Sequence, residues 1–85
     1  MGMEFEAVND SIEVEAFFGQ HGMRPVRFIW QGKSRLIRQV TCTWNEKDGM
    51  LLKRYFSVSD GETLYELRFD SRSLRWHLTK VALEG

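Results

Sequence analysis

The chain has 85 residues, 42% of them hydrophobic and 28% charged, and its formal net charge at pH 7 is zero. That length predicts a single domain, residues 1–85, with a modest core, and the composition excludes a disordered chain. One cysteine excludes an internal disulfide, and no apolar run approaches the roughly 20 residues of a membrane-spanning helix. Residues 1–15 contain no basic residue and no long apolar block, so they do not resemble a signal peptide. The sequence therefore predicts a cytoplasmic protein with no membrane partner.

The charged residues are unevenly distributed along the chain. Residues 1–23 carry five acidic side chains and no lysine or arginine, whereas all 12 basic residues follow from Arg24 onward, beside seven acidic ones. Two interpretations stay open at this point. The two segments neutralise each other between neighbouring strands, or a basic surface faces a partner.

Apolar and polar residues alternate with period 2 through most of the chain, which is typical of β-strands. In chain order, the predicted strands cover residues 12–18, 26–30, 35–45, 51–59, 63–69 and 74–81. Residues 1–11 are ambiguous, either irregular or a short extra strand. The sequence predicts an all-β fold, an antiparallel meander of five or six strands curled into a small barrel or roll that the 12–18 strand closes.

Four turns set the predicted registers of this meander. They are a three-residue loop at 32–34, a three-residue loop at 47–49, a two-residue turn at 60–61 and a four-residue loop at 70–73. These choices collect the large apolar residues on one face, and a shift of one residue would break that set. The predicted apolar face comprises Val26, Phe28, Trp30, Leu36, Val40, Cys42, Trp44, Leu52, Phe56, Val58, Tyr65, Leu67, Phe69, Leu74, Trp76 and Leu78.

On the opposite face, the same registers place three cations in one line across adjacent strands. Lys53 lies opposite Arg68, which lies opposite Arg75, with Tyr55 in the neighbouring position. Like charges directly opposite each other are destabilising, so such a line calls for an anion. We therefore predict a binding surface made of these four residues, with Arg27 as a weaker addition.

Two partners fit this predicted surface. Basic groups beside an aromatic ring suit single-stranded nucleic acid, through ionic contacts to phosphates and stacking on bases, and predict weak, salt-dependent binding. An acidic protein partner, held by the basic residues or by an exposed sheet edge, fits as well. The alternative to both is an ordinary solvated sheet face that the acidic first segment neutralises.

Two other arginines fall on the apolar face by strict alternation. Arg38 would face Phe28 and Val58, and Arg54 would face Cys42 and Leu67. A buried unpaired arginine is costly, so three placements are open: a bulge or barrel end, stacking on a tryptophan, or contact with a small ligand at a barrel mouth.

No residue pattern indicates catalysis. Cys42 is expected to be a small buried thiol. Activation of this thiol as a nucleophile would need a histidine within reach, but His21 is predicted to lie in a loop and His77 on the opposite face. The spacings of metal sites and of phosphate-binding loops are absent from the sequence. The sequence thus predicts no catalytic residues, no metal site and no cofactor, and a protein that is not an enzyme.

A run of aromatic and turn residues extends from RPVRFIWQG at 24–32 through Trp44, RYFSV at 54–58, Gly61, LYEL at 64–67 and RWHL at 75–78. Over roughly residues 24–81 this pattern resembles a family of short bacterial proteins of unknown function. It is similar also to the small C-terminal β domain of the Y-family polymerase-like proteins of bacterial damage-induced mutagenesis. The resemblance implies a non-catalytic accessory module in DNA repair or mutagenesis, and it implies no active site.

Overall fold

The computed structural model describes residues 4–83, and every regular element within that range is a β-strand. The predicted domain boundaries at 1 and 85 lie outside the described residues. The strands are β1 (Glu4–Gly19), β2 (Gly22–Trp30), β3 (Lys33–Leu36), β4 (Gln39–Asp48), β5 (Leu51–Ser59), β6 (Leu64–Asp70) and β7 (Arg75–Leu83). They form one antiparallel sheet in the order β3-β2-β1-β7-β6-β5-β4. The all-β prediction is confirmed.

The strand count differs from the predicted five or six, because seven strands are present. The predicted strand 35–45 is two strands, β3 and β4, separated by Ile37 and Arg38. Residues 4–11, ambiguous in the sequence, continue the 12–18 strand as the first half of β1. The sheet is not closed by pairing, because the described residues contain no ladder between β3 and β4.

Strand β1 takes part in two ladders and bends the sheet. Its first half pairs with β7 and its second half with β2, with register shifts between Ala7 and Asp10 and between Glu15 and Ala16. Sixteen residues at the usual rise would span roughly 50 Å. The longest dimension of the molecule is only 38 Å, so β1 curves, and the bulges supply the bend.

The core lies on the concave side of this curved sheet. Its buried members are Ile12, Phe28, Phe56, Val58, Tyr65, Leu67, Trp76 and Leu78. Phe28 and Trp30 of β2 meet Tyr65 of β6 edge to face, with ring centroids 5.0 Å and 6.3 Å apart. The β1–β2 hairpin thus folds over the β5–β7 layer, and the shared apolar burial holds the two layers together.

Two predicted registers differ from the structure by an odd number of residues, which turns side chains to the other face. Trp30 pairs with Lys33 through a two-residue turn at Gln31 and Gly32, both with positive φ, so Leu36 is exposed. Likewise the turn after β4 is Gly49 and Met50, because Asp48 pairs with Leu51. The placement of Leu36, Cys42 and Trp44 in the core was therefore wrong.

The other two registers differ by two residues, which keeps the side chains within the paired strands on their predicted face but changes their partners. Four residues, not two, join β5 to β6, since Ser59 pairs with Leu64. Between β6 and β7 the loop is 71–74, since Asp70 pairs with Arg75. Leu74 is consequently in the turn with φ +59° and is 70% exposed, so its predicted place in the core was also wrong.

Candidate functional site

Lys53, Arg68 and Arg75 share the outer face of the sheet, the face opposite the core, as the sequence predicts, but they do not form a line. Lys53 lies opposite Asp70, and Asp70 lies opposite Arg75. Glu46 completes this charged row on the other side of Lys53. The predicted line of three cations was wrong, because the two-residue register shifts insert an acidic residue between the two outer cations.

Asp70 also compensates the third cation. The Nε atom of Arg68 lies 3.3 Å from Oδ1 of Asp70, and the two side chains are 19% and 22% exposed. The atoms are close enough for an ion pair, although they are not aligned as a hydrogen bond. This contact is the one ion pair found within residues 4–83. Glu46 of β4 and Asp70 of β6, rather than the acidic residues of β1, therefore lie directly beside these cations.

A second row on the outer face has planar side chains from four adjacent strands. Trp44, Tyr55, Arg68 and His77 are successive partners across β4, β5, β6 and β7, and we call them the aromatic row. The rings of Trp44 and Tyr55 are stacked, with centroids 5.3 Å apart and planes only 3° from parallel. Sequence reasoning missed this row, because it assigned Trp44 to the core.

The surroundings of Tyr55 favour its neutral form. Partial burial, followed by the negative charge of Glu46, raises the pKa of the Tyr55 hydroxyl above its ordinary value, and the nearby Arg68 guanidinium opposes this effect. The stacked rings of Trp44 and Tyr55 are therefore neutral at pH 7 and lie beside the guanidinium of Arg68. Flat, neutral rings beside a cation are suited to stacking on a nucleobase.

Arg27 is not brought to these residues. It lies exposed on β2, opposite Glu15 of β1 and Leu36 of β3, and β1 separates it from β7. The cross-strand position of Glu15 offsets its charge, so the structure gives no support to Arg27 as part of the same surface.

Cys42 is exposed on the outer face, opposite Ser57, and the predicted buried thiol is wrong. The register shift beside it, between Val40 and Cys42, changes which face the strand presents. Among residues 4–83, no group of three or more His, Cys, Asp or Glu side chains could hold a metal ion.

A polar network that the sequence did not indicate lies at the end of the sheet near the β5–β6 turn. The Tyr65 hydroxyl donates to Oδ2 of Asp60 over 3.0 Å and accepts from Nη1 of Arg35 over 3.2 Å. Oδ1 of Asp60 accepts from the backbone N–H groups of Glu62 and Thr63. This network ties β3 to the β5–β6 turn through the hydroxyl of Tyr65, a residue whose ring alternation had assigned to the core.

The two arginines predicted on the apolar face occupy two different pockets. Arg38 lies exposed between β3 and β4, in a polar pocket of about 460 Å³ that Lys33, Asp60 and Glu62 also line. Arg54 remains on the concave side at the far end of the sheet, half-buried, in a pocket of about 350 Å³. Arg38 thus leaves the apolar face at the break between strands, whereas Arg54 stays on it.

No family model, curated protein or solved structure matches the chain. Within the described part of the chain, no helix has the length and apolar character needed to cross a bilayer. The function is therefore inferred from the residues and their geometry alone.

Proposed function

We propose that this domain is a non-catalytic binding module that holds single-stranded nucleic acid on its outer face. The observation that supports it most is the aromatic row, in which the stacked rings of Trp44 and Tyr55 are followed by the guanidinium of Arg68. Rings and guanidinium planes are the groups on which splayed bases stack.

The position of Trp44 gives this row an open end. In the strand order β4 is last, so among residues 4–83 no strand lies beyond Trp44 on the side away from Tyr55. Because the two rings are nearly parallel, the second face of the indole is directed toward that open edge. A base stacked there would contribute about 1–3 kcal/mol.

The charged row then sets the strength of phosphate contacts. Lys53 and Arg75 of this row, together with Arg68 of the aromatic row, could reach the phosphates of a strand that crosses the face. Asp70 and Glu46 in the same row repel those phosphates. If three cations contact phosphates of a single strand, a plot of log K against the logarithm of the salt concentration has a slope of roughly −2. Binding is thus weak and depends more on stacking than on charge.

Fluorescence anisotropy of a labelled oligothymidylate, titrated at about 50 and about 200 mM salt, tests the proposal. We expect weak saturable binding that Trp44→Ala abolishes. Phe18→Ala is the matched control, because Phe18 is an aromatic residue, 75% exposed, on β1 rather than on the aromatic row. An absence of binding at low salt, or equal affinity of the Trp44→Ala variant, overturns it.

A second candidate function is favoured by the free edge of β4. This strand has ten residues and is the longer of the two edge strands, and within the described range 4–83 it pairs with β5 alone. An extended segment of a partner protein could add to it through backbone hydrogen bonds. A stoichiometric partner that survives Arg68→Glu/Arg75→Glu and protects β4 amides from hydrogen exchange would identify this mode. Protection of outer-face residues on β5–β7 instead would count against it.

The same proposal places the module in the cytoplasm, in a DNA repair or mutagenesis setting.

We propose further that the sheet curls into a partly open roll. The link between β3 and β4 supports the roll. It has two residues, yet it joins strands at opposite ends of the strand order. The Ile37 N–H donates to the Val26 carbonyl and the Arg38 N–H donates to the Ser59 carbonyl, so the two edges come close together at this point.

A further inference from the structure

The pocket around Arg54 lies on the concave side of the sheet, away from the aromatic row. It is a cavity of about 350 Å³ between the β1–β2 turn and strands β4 and β5. Its lining includes Phe17, Met23, Arg24, Val40, Arg54 and Phe56. Most of the lining surface is apolar, and its charged side chains are the two arginines, with no carboxylate from residues 4–83.

Arg54 lies on the core face of the sheet and contacts an aromatic ring rather than a carboxylate. Its side chain is half-buried on the face that carries the core, and its guanidinium carbon lies 5.5 Å from the centre of the Phe56 ring. Within residues 4–83 the one ion pair joins Arg68 to Asp70, so no described carboxylate pairs with Arg54. A guanidinium that no described carboxylate engages keeps its N–H donors available to a bound carboxylate.

The turn between β1 and β2 brings the backbone close to this group. Gly22 has φ +105°, and a Cβ atom at that position would lie 3.9 Å from Nη1 of Arg54. A side chain larger than a methyl group there would fill the space over the guanidinium. Glycine at position 22 therefore leaves Nη1 of Arg54 uncovered by a side chain from this turn.

We propose that this pocket binds a small hydrophobic carboxylate as a free molecule. The carboxylate pairs with the guanidinium of Arg54 in the two-pronged geometry that arginine favours, and the apolar tail lies against Phe56, Val40 and Met23. Arg24 at the rim, whose guanidinium lies 5.5 Å from the centre of the Phe17 ring, adds to the positive potential at the entrance. The volume is at the small end of the range for ligand pockets.

The site is independent of the proposed nucleic-acid surface, because its residues lie on the opposite face of the sheet. Either proposal can fail while the other stands. The test accordingly uses a ligand that has no base or phosphate.

Two-dimensional ¹H–¹⁵N NMR titration of the full chain with octanoate measures this binding directly. We expect saturable shifts at the amides of the pocket and at the Arg54 Nε–H, with octanol binding about tenfold or more weakly because it lacks the charge. The Arg54→Met variant keeps the apolar stem and should lose at least about tenfold in octanoate affinity. Arg72→Met, an exposed arginine of the β6–β7 turn, is the matched control and should bind normally.

Folding of the variant is checked by the same spectra and by its melting temperature. Removal of an unpaired cation from the apolar face should leave the stability of Arg54→Met equal to or above that of the wild type. Equal affinity for octanol and octanoate, equal affinity of Arg54→Met, or shifts outside the pocket each overturn the proposal. So does binding that is restricted to peptides with a free C-terminal carboxylate.

Discussion

Trp44 and Tyr55, from neighbouring strands, stack in parallel on the wet side of the sheet, with ring centroids 5.3 Å apart. Each ring covers one face of the other, so the pair is partly buried without joining the core. Such pairs contribute about 0.5–1.5 kcal/mol beyond the area that they bury. The stack therefore gives local rigidity to the unpaired edge of the sheet, where Trp44 lies.

Substitution of Tyr55 by leucine tests this stack apart from any ligand. We expect a loss of about 1 kcal/mol in the free energy of unfolding and a weaker near-ultraviolet circular dichroism band from Trp44, because the indole loses its ordered neighbour. Ser57→Ala, one outward position further along β5, is the control and should preserve the band. An unchanged band in Tyr55→Leu would contradict a persistent stack.

Asp60 should make stability depend on pH in the acid range. Partial burial acts to raise the pKa of Asp60, but hydrogen bonds from the Thr63 and Glu62 N–H groups and from Tyr65 outweigh it and hold that pKa below its ordinary value of 3.8. A lowered pKa in the folded state stabilises the protein above the unfolded-state pKa. This contribution is lost as the pH falls through the folded-state pKa.

Urea unfolding of the wild type and Asp60→Asn at several pH values between about 7 and about 2.5 measures this contribution. Asparagine keeps the oxygen that accepts from the turn but removes the charge. We expect Asp60→Asn to be less stable at neutral pH and the difference to shrink as the solution becomes more acidic. A difference that is constant with pH would show that the charge of Asp60 is not involved.

Ionisation of the Tyr65 hydroxyl should make the stability of the fold depend on pH in the alkaline range. Burial, followed by the hydrogen bond to Asp60, raises the pKa of Tyr65 above its ordinary value of 10.0. A raised pKa on an acid stabilises the folded state below the unfolded-state pKa, and this stability is lost as the pH rises through the folded-state value. Tyr65→Phe should cost about 2 kcal/mol at neutral pH, since both partners of the hydroxyl are charged, and should reduce the loss above pH 10.0.

Chemical unfolding of Tyr65→Phe and of Tyr55→Phe compares how much each tyrosine hydroxyl contributes to the free energy of unfolding. The Tyr55 hydroxyl also lies near a charged pair, Glu46 and Arg68, but on a half-buried site where water can replace it, so Tyr55→Phe should cost less at neutral pH. Equal costs for the two variants would mean that the bridge from Arg35 to Asp60 contributes little.

The sequence was sufficient for the composition of the core because burial depends on alternation more than on exact pairing. Phe28, Phe56, Leu67, Trp76 and Leu78 lie where period 2 predicts them. Registers that differ by two residues, as between β5, β6 and β7, leave the same side chains inside. The shared outer face of Lys53, Arg68 and Arg75 was predictable for the same reason.

The partners across strands were not predictable, because they depend on turn conformations that composition does not determine. Gln31 adopts a left-handed φ of +53°, a conformation uncommon for a residue with a side chain, and this shortens the predicted turn. At the β5–β6 turn, the hydrogen bonds of Asp60 stabilise four residues where Asp-Gly favours two. The candidate site changed with them, from a line of cations to an aromatic row beside a row of alternating charge.

Gly61 and Gly49 form a matched pair for the role of glycine in these turns. Gly61 has φ +102°, and an added Cβ would lie 3.0 Å from the Arg38 side chain, whereas Gly49 has φ +63° with nothing within 4 Å. Gly61→Ala should cost about 2–3 kcal/mol, from backbone strain and displacement of Arg38. Gly49→Ala should cost about 1 kcal/mol, since alanine tolerates the left-handed region better. Thermal unfolding of both variants measures the two costs, and equal costs would show that neither the φ of Gly61 nor its contact with Arg38 matters.

Substitution of Asp70 by asparagine distinguishes the contribution of the charged row to stability from its proposed contribution to nucleic-acid binding. Asp70→Asn leaves the size of the side chain unchanged but leaves Lys53, Arg68 and Arg75 without the carboxylate that lies among them. Stability should fall by about 1 kcal/mol, because the partly buried contact with Arg68 is lost.

If phosphates cross this face, the affinity of Asp70→Asn for oligothymidylate should instead rise, roughly three- to tenfold at low salt, with a steeper salt dependence. Glu62→Gln, which removes the same charge at the β5–β6 turn, controls for net charge and should leave both quantities nearly unchanged. A less stable Asp70→Asn protein with unaltered affinity would mean that nucleic acid does not contact the charged row, and that its alternating charges serve only to pair the strands.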